Sequence, residues 1–440
     1  SEVTEEKETR RIVIPEVTRV EGHSAVTVDI KDGAVVDVKL DVFEGTRFFE
    51  RIVVGHKADE MAHLTSRICA ICSTGHVLAS IRALEATVQY KPSVRLNLFR
   101  ELMHLGMIIE SHATHLCALV LPDFLGTKDL LTFADKFKEE FALWTTLRSL
   151  GCAIQTLVGG RPFHPVNLHV FKLSHYPSRE SLESLLPDLK SGADLALKLA
   201  HTFLSLKLPN IPSLEPNYLC LEQDGVYGYF GDHIRSSEGF RRPISEYKEY
   251  LSEYAVTYSH AKKSRSNGKP YMVGAIARLH FYHELLGSTA RSIYMASDLA
   301  RGSCNSMLNN LAQAIELVQA IERVQTIIAL LSELSHEPEV EVPEPRLVGS
   351  GVGAVECPRG TLYHSYEVDE QGVVIAADMI TPSAQNTERI ERDIRNTVSH
   401  RLAENGAGKD ENLECDLETL IRSYDPCNTC ATHAVRLRYV

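Results

Sequence analysis

Apolar and polar positions alternate cleanly between Ser24 and Val42. Val26, Val28 and Ile30 lead into a Lys31-Asp32-Gly33 turn, and Val36, Val38, Leu40 and Val42 leave it. A period of two with a turn between predicts a hairpin with one buried face. From about 56 to 335 the apolar spacing lengthens to three and four residues, which predicts helices punctuated by prolines such as Pro92, Pro122, Pro165 and Pro209. Residues 303–335 read as one long helix whose apolar stripe is broad. A broad stripe suits the core of a bundle better than a two-position coiled-coil seam. Strand character returns at about 346–382, with a Glu370-Gln371-Gly372 turn, and helices follow at about 387–403 and 411–423.

These elements predict an α+β fold, mainly α: a large helical bundle flanked by small β elements from the N- and C-terminal regions. One unit covers 1–433, with the hairpin at about 11–50, the helical core at about 56–335, the β-rich segment at about 346–382 and C-terminal helices with the end segment at 387–433. Residues 434–440 are a short tail, and the acidic, Pro-rich stretch 337–346 is the best internal linker. No internal repeat breaks this plan.

Composition narrows the function. Apolar residues make up 44% and charged residues 24%, an ordinary globular balance. A net charge of −12 without a basic stripe argues against nucleic acid as a partner. No run of about 18 apolar residues predicts a membrane span. The charged start of the chain lacks an apolar signal segment, so the expected location is cytoplasmic.

Ten cysteines are too few for a disulfide scaffold. Cys69-Ala-Ile-Cys72 and Cys427-Asn-Thr-Cys430 form two CxxC pairs. The other six, Cys117, Cys152, Cys220, Cys304, Cys357 and Cys415, read mostly as small buried hydrophobes. Each pair spaces two soft thiolates to grip one metal edge. A structural zinc site is the plain alternative, although zinc ribbons usually place their pairs roughly 15–20 residues apart. Here the pairs lie near opposite ends of the chain, so a fold that joins both ends is required. A redox dithiol explains one pair and leaves the other without a purpose.

The surroundings of the pairs are more specific. Arg67-Ile68-Cys69-Ala70-Ile71-Cys72 with His76, and Asp425-Pro426-Cys427-Asn428-Thr429-Cys430 with His433, resemble the paired RxCxxCxxxH and DPCxxCxxH signatures of nickel-iron hydrogenase large subunits. Arg19-Val20-Glu21-Gly22-His23 resembles that family's RxEGH box. Arg47-Phe48-Phe49-Glu50 resembles its RGFE box with Phe48 in place of Gly. Ser111-His112-Ala113-Thr114-His115, Leu121-Pro122-Asp123 and Gly159-Gly160-Arg161 with His164-Pro165 match further stretches. Glu356-Cys357-Pro358-Arg359-Gly360 resembles EAPRG with Cys for Ala, and Pro382-Ser383-Ala384-Gln385-Asn386 resembles PSTWN without its Trp. The details are most similar to the cytoplasmic, multi-subunit branch that includes sulfhydrogenases and NAD(P)-linked enzymes.

The resemblance implies reversible dihydrogen oxidation at nickel bound by all four cysteines, with Cys72 and Cys430 bridging to an iron that carries carbon monoxide and cyanide. Cys427 would take the proton of heterolytic cleavage and Glu21 would relay it. Arg359 would stand over the metals, held by Asp123 and Asp425; Pro358 and Ser383 would line the pocket of the diatomic ligands. His76 would hydrogen-bond a bridging sulfur, and Glu50 with His433 would bind a buried magnesium. Implied partners are an iron-sulfur small subunit, further diaphorase-like or ferredoxin-linked subunits, and an endopeptidase that cuts after His433. Two rivals remain: a regulatory hydrogen sensor with the same ligands, and a zinc-stabilised non-catalytic scaffold related to the quinone-site subunit of respiratory complex I, a subunit that resembles the family in fold but has itself lost the metal cysteines.

Overall fold

In the computed structural model the described residues are 9–127, 129–209, 211–334, 343–405, 410 and 412–432. The predicted hairpin forms between Ser24–Lys31 and Ala34–Val42, and a third strand, Thr9–Ile14, pairs antiparallel on its other edge. Val26, Val28 and Ile30 face inward, as their alternation requires. The sheet lies on the Pro382–Asn405 helix, where the Leu40 N–H donates to Glu391 Oε1 at 2.8 Å.

Four long helices, Val94–Thr114, Lys138–Gly159, Leu186–Ser205 and Asn309–Glu333, make the bundle. The first two approach closely because both carry glycine at the contact. A Cβ on Gly151 would stand 2.6 Å from the Gly106 carbonyl oxygen. The helical run Val94–Leu125 is the one among the described residues long and apolar enough to cross a membrane, and 89% of its apolar window is buried inside the protein. The Asn309–Glu333 helix is shorter than the predicted 303–335 helix. Asn305 caps a 3-10 turn, Ser306–Leu308, through its side chain and sets the start.

The second departure lies in mid-chain. Strands interrupt the predicted helical stretch at Leu219–Glu222, His233–Ser236, Arg241–Pro243, Leu251–Tyr254 and Lys263–Ser266. They are too short to display a period of two, so their apolar residues pass for helical spacing. The predicted linker 337–346 falls partly outside the described residues, and 343–346 is exposed irregular chain.

Near the C-terminus Gly349–Cys357, Gly360–Val368 and Val374–Ile380 form an antiparallel sheet. It lies on the Ser73–Thr87 helix, and glycine makes the contact possible: a Cβ on Gly353 would meet Ala83 N at 2.3 Å and Ala79 O at 2.5 Å.

Beneath this sheet is a buried ion network. Arg278 donates to both Glu316 oxygens at 2.6 and 2.8 Å, to Glu356 Oε2 at 2.9 Å, and to the carbonyls of Cys357 and Pro358. Burial opposes the Glu316 charge, but Arg278 and His112 overcome it and hold the carboxyl down at about 2, below its ordinary 4.5. Replacing Glu316 with Gln leaves the buried guanidinium with Glu356 as its remaining carboxylate and is expected to cost about 3–5 kcal/mol, read from denaturant unfolding. Because the folded value is depressed, the Glu316 contribution is complete above pH 4.5 and fades as pH falls toward 2. The acid side of the unfolding-midpoint profile should therefore flatten in Glu316→Gln.

Candidate metal centre

Cys72 precedes the Ser73–Thr87 helix, and Cys427 precedes the short Asn428–Ala431 helix. Each pair therefore has one thiol at a helix entry; its companion lies on the chain just before in the first pair (Cys69) and within the short helix in the second (Cys430). A short parallel bridge, Glu21 to Cys427, joins the chain ends, and the Asn428 N–H donates to the Glu21 carbonyl at 3.0 Å. All four sulfurs lie within 4.8 Å of one another, and all four residues are buried. Cys69 Sγ and Cys427 Sγ are 3.5 Å apart, and none of the ten cysteines is in a disulfide. Metal–sulfur bonds near 2.3 Å place ligand sulfurs roughly 3.5–4 Å apart, so this donor set fits a thiophilic metal.

Arg359 stands over the cluster with Nη1 3.2 Å from Cys72 Sγ. Its Nη2 pairs with Asp425 Oδ1 at 2.9 Å, and its Nε donates to the Asp425 carbonyl at 2.7 Å. Burial disfavours the guanidinium charge, yet Asp425 and the cysteine sulfurs keep it firmly protonated. Hydrogen bonds from the other three thiols, chiefly Cys427, hold Cys72 well below the usual thiol range, with Arg359 adding to them against the cost of burial. Burial, followed by the neighbouring sulfurs, pushes Cys427 up.

Glu21 is half-buried. Its Oε2 accepts from Cys427 Sγ at 3.1 Å and from the Thr429 N–H at 3.0 Å, while the Thr429 hydroxyl holds Oε1. Ser383 Oγ accepts from the Cys427 N–H at 2.9 Å. Pro358 is buried in the loop that carries Arg359, anchored through its carbonyl by Arg278. His76 places Nε2 3.8 Å from Cys430 Sγ, and burial pushes it down to about 4, so the ring is neutral.

Asp123 departs from expectation. It pairs with Arg19 and with Arg422 Nε, the latter at 2.9 Å, and not with Arg359, for which, among the described residues, Asp425 supplies the carboxylate. Two arginines already enclose Asp123, which braces the chain around Arg19 behind the site. Glu50 is not part of the four-cysteine group. Its Oε1 accepts from the Met379 N–H at 2.8 Å and lies 3.7 Å from Lys262 Nζ; burial pushes it up to about 8, partly offset by Lys262. His433, the expected companion of Glu50, and the tail 434–440 lie outside the described residues. Of the six remaining cysteines, Cys117, Cys220 and Cys357 are buried as expected, whereas Cys152 and Cys304 are half-buried and Cys415 is exposed.

Arg47 had no role assigned from sequence. Its guanidinium donates to the Arg67 carbonyl at 3.1 Å, to the Ile68 carbonyl, and to the Thr429 carbonyl at 3.4 Å, so it clasps both CxxC segments at once. Its neighbour Phe48, which stands where the resembling family has Gly, adopts φ 52°. That is a left-handed conformation natural to glycine and costly for a bulky residue.

The sequence from 47 to 147 and from 230 to 433 matches the family described as nickel-dependent hydrogenase, and residues 11–44 match one described as HoxL-like. The chain is 37% identical over 438 residues to sulfhydrogenase 1 subunit alpha of Pyrococcus furiosus, covering 97% of this chain and 98% of that one. It is 28% identical to the HoxS subunit beta of the NAD-reducing hydrogenase of Cupriavidus necator, over 97% and 95% of the two chains. In fold it is similar to an NAD+-reducing nickel-iron hydrogenase in the H2-reduced state, with a TM-score of 0.84 at 24% identity over 96% and 99% of the chains. A Ni-Fe-Se hydrogenase of D. vulgaris Hildenborough gives a TM-score of 0.76 at 22% identity, over 97% and 100%. The chain belongs to the nickel-dependent hydrogenase family.

Arg47→Ala should leave the fold intact and loosen the clasp between the two CxxC segments. The expected result is a lower metal content in purified protein with little change in the unfolding midpoint; full metal occupancy after dialysis against a chelator would refute the clasp.

Proposed function

We propose that this chain catalyses reversible dihydrogen oxidation at a nickel-iron centre held by Cys69, Cys72, Cys427 and Cys430. The observation that carries the reading is a buried four-sulfur cluster with an arginine over one sulfur and a carboxylate against another. When bound, such a centre supplies the Lewis acidity and redox chemistry that split dihydrogen heterolytically.

The chain's own residues then handle the proton and the charge. Cys427 Sγ accepts the proton and Glu21 Oε2, 3.1 Å away, takes it outward. Thr429 fixes Glu21 through two hydrogen bonds, so the carboxylate need not search for the sulfur. Arg359 presents a permanent positive charge that balances thiolate charge and can donate to a diatomic ligand on iron. Arg359, buried Pro358 and Ser383, whose hydroxyl accepts from the Cys427 N–H, would hold carbon monoxide and cyanide ligands of the iron. Asp425 is a positioning residue for Arg359.

Electrons require a partner. Among the described residues the four cysteines are the only cluster of metal-binding side chains, so the chain holds no second centre there to form a wire. An iron-sulfur small subunit is the partner that would receive electrons, with diaphorase-like or ferredoxin-linked subunits beyond it; the relatives are themselves named as subunits. We further propose that the chain works as one unit, since one apolar cluster draws on residues from Ile12 to Ala431, and that it works in the cytoplasm, as its resemblance to the multi-subunit branch implies. An endopeptidase would remove 434–440, which the intact mass of mature enzyme tests. A magnesium at Glu50 and His433 would take an oxygen from the Glu50 carboxylate, which also lies 3.7 Å from Lys262 Nζ, whereas histidine is an unusual ligand for an ion that prefers oxygen.

Purified enzyme should contain nickel and iron and show infrared bands of metal-bound carbon monoxide and cyanide. Zinc without nickel would sink the reading in favour of a scaffold. Glu21→Gln should keep the metals and slow hydrogen–deuterium exchange by about 100-fold or more, the usual contribution of a positioned proton-transfer group; unchanged exchange would remove Glu21 from the relay.

A further inference from the structure

A chain of buried polar groups runs from the cluster into the C-terminal sheet. His76 Nδ1 is 3.0 Å from His364 Nε2. His364 Nδ1 lies 2.9 Å from both Ser80 Oγ and Tyr366 OH, and these two oxygens are 2.7 Å apart. Ser80 Oγ continues to Thr65 Oγ1 at 2.8 Å, which in turn lies 2.8 Å from the Met61 carbonyl. His76 and Tyr366 are 1% exposed and the other three fully buried. The geometry follows from local structure: His76 and Ser80 are four apart on one helix, His364 and Tyr366 two apart on one strand. The strand reaches the helix because its hydrogen-bonded neighbour bears Gly353, the register partner of His364.

A neutral imidazole has one N–H and one lone pair, and a hydroxyl has one proton to give. The two histidines can therefore share their protons in two ways. In one, His76 Nε2–H points at Cys430 Sγ, His76 Nδ1 accepts from His364 Nε2–H, and His364 Nδ1 accepts from the Tyr366 hydroxyl, while Thr65 donates to the Met61 carbonyl and Ser80 to Thr65. In the other, His76 Nδ1–H donates to His364 Nε2, and His76 turns its Nε2 lone pair toward Cys430 Sγ. A cysteine bound to metal as thiolate has no proton to meet that lone pair and accepts an N–H instead, which favours the first arrangement.

We propose that His364, oriented by Tyr366 and Ser80, fixes His76 in the tautomer that donates Nε2–H to Cys430 Sγ, and so sets the electron density of that sulfur. His364, Tyr366 and Ser80 are positioning residues that act through His76. The inference rests on the nickel-iron reading above and extends it to a second layer of residues.

The test uses the enzyme purified with its partner subunits, followed by infrared spectroscopy of the carbon monoxide and cyanide bands through a redox titration. His364→Leu removes the donor, and should shift the bands and the midpoint potential with the metals still bound. His364→Gln, whose amide N–H can replace Nε2–H, should return them toward the unaltered positions. His76→Leu should give a shift to which His364→Leu adds nothing, since the second residue acts only through the first. Should His364→Leu fail to fold, the milder Tyr366→Phe with Ser80→Ala removes both hydroxyls facing His364 and should shift the bands the same way. Unmoved bands in these variants, or additive shifts from His76 and His364, overturn the proposal. If the unaltered enzyme shows no such bands, the nickel-iron reading falls instead. Neutron diffraction then still decides the tautomer: a deuteron on His76 Nε2 supports the proposal, and one on Nδ1 alone overturns it.

Discussion

Four sulfurs confined in a buried interior repel one another once they ionise, and the rest of this structure answers that repulsion. A buried anion is costly unless it is paired or hydrogen-bonded. Arg359 supplies a fixed cation 3.2 Å from Cys72, and Asp425 anchors that cation from below. Arg278 in turn steadies the loop carrying Arg359 by holding the carbonyls of Cys357 and Pro358. The deep ion network under the C-terminal sheet is thus an extension of the metal centre. It keeps one positive charge in register with sulfurs supplied by both ends of the chain.

Joining those ends is a topological task. Glu21 performs part of it with its backbone, which bridges to Cys427, while its side chain faces the same cysteine's sulfur. One residue thereby closes the fold and addresses the chemistry. The N-terminal sheet exists in this setting to deliver Glu21, and the Pro382–Asn405 helix links that sheet to Ser383 behind Cys427.

The sequence made the centre legible where chemistry and spacing coincide. Two CxxC pairs, each with a basic or acidic residue two places before it and a histidine after it, demand a metal and a fold that unites them. The hairpin was legible because its strands are long enough to alternate. The strands between Leu219 and Ser266 were not, since two or three inward residues cannot define a period. Asp123 was misplaced because a carboxylate near an arginine in a motif says nothing about which arginine it meets; Arg19 and Arg422 are nearer. Arg47 and His364 escaped for another reason. They act on backbone carbonyls and on another histidine, partners that no linear spacing reveals.

The Arg47 clasp has a consequence for which ion the cluster accepts. The gap between the two CxxC segments is set by hydrogen bonds to carbonyls of Arg67, Ile68 and Thr429, atoms that bind no metal. Thiolates alone rank divalent ions by intrinsic affinity, which favours copper over nickel. A jaw whose opening is held by an arginine adds a criterion of size and preferred geometry on top of that order.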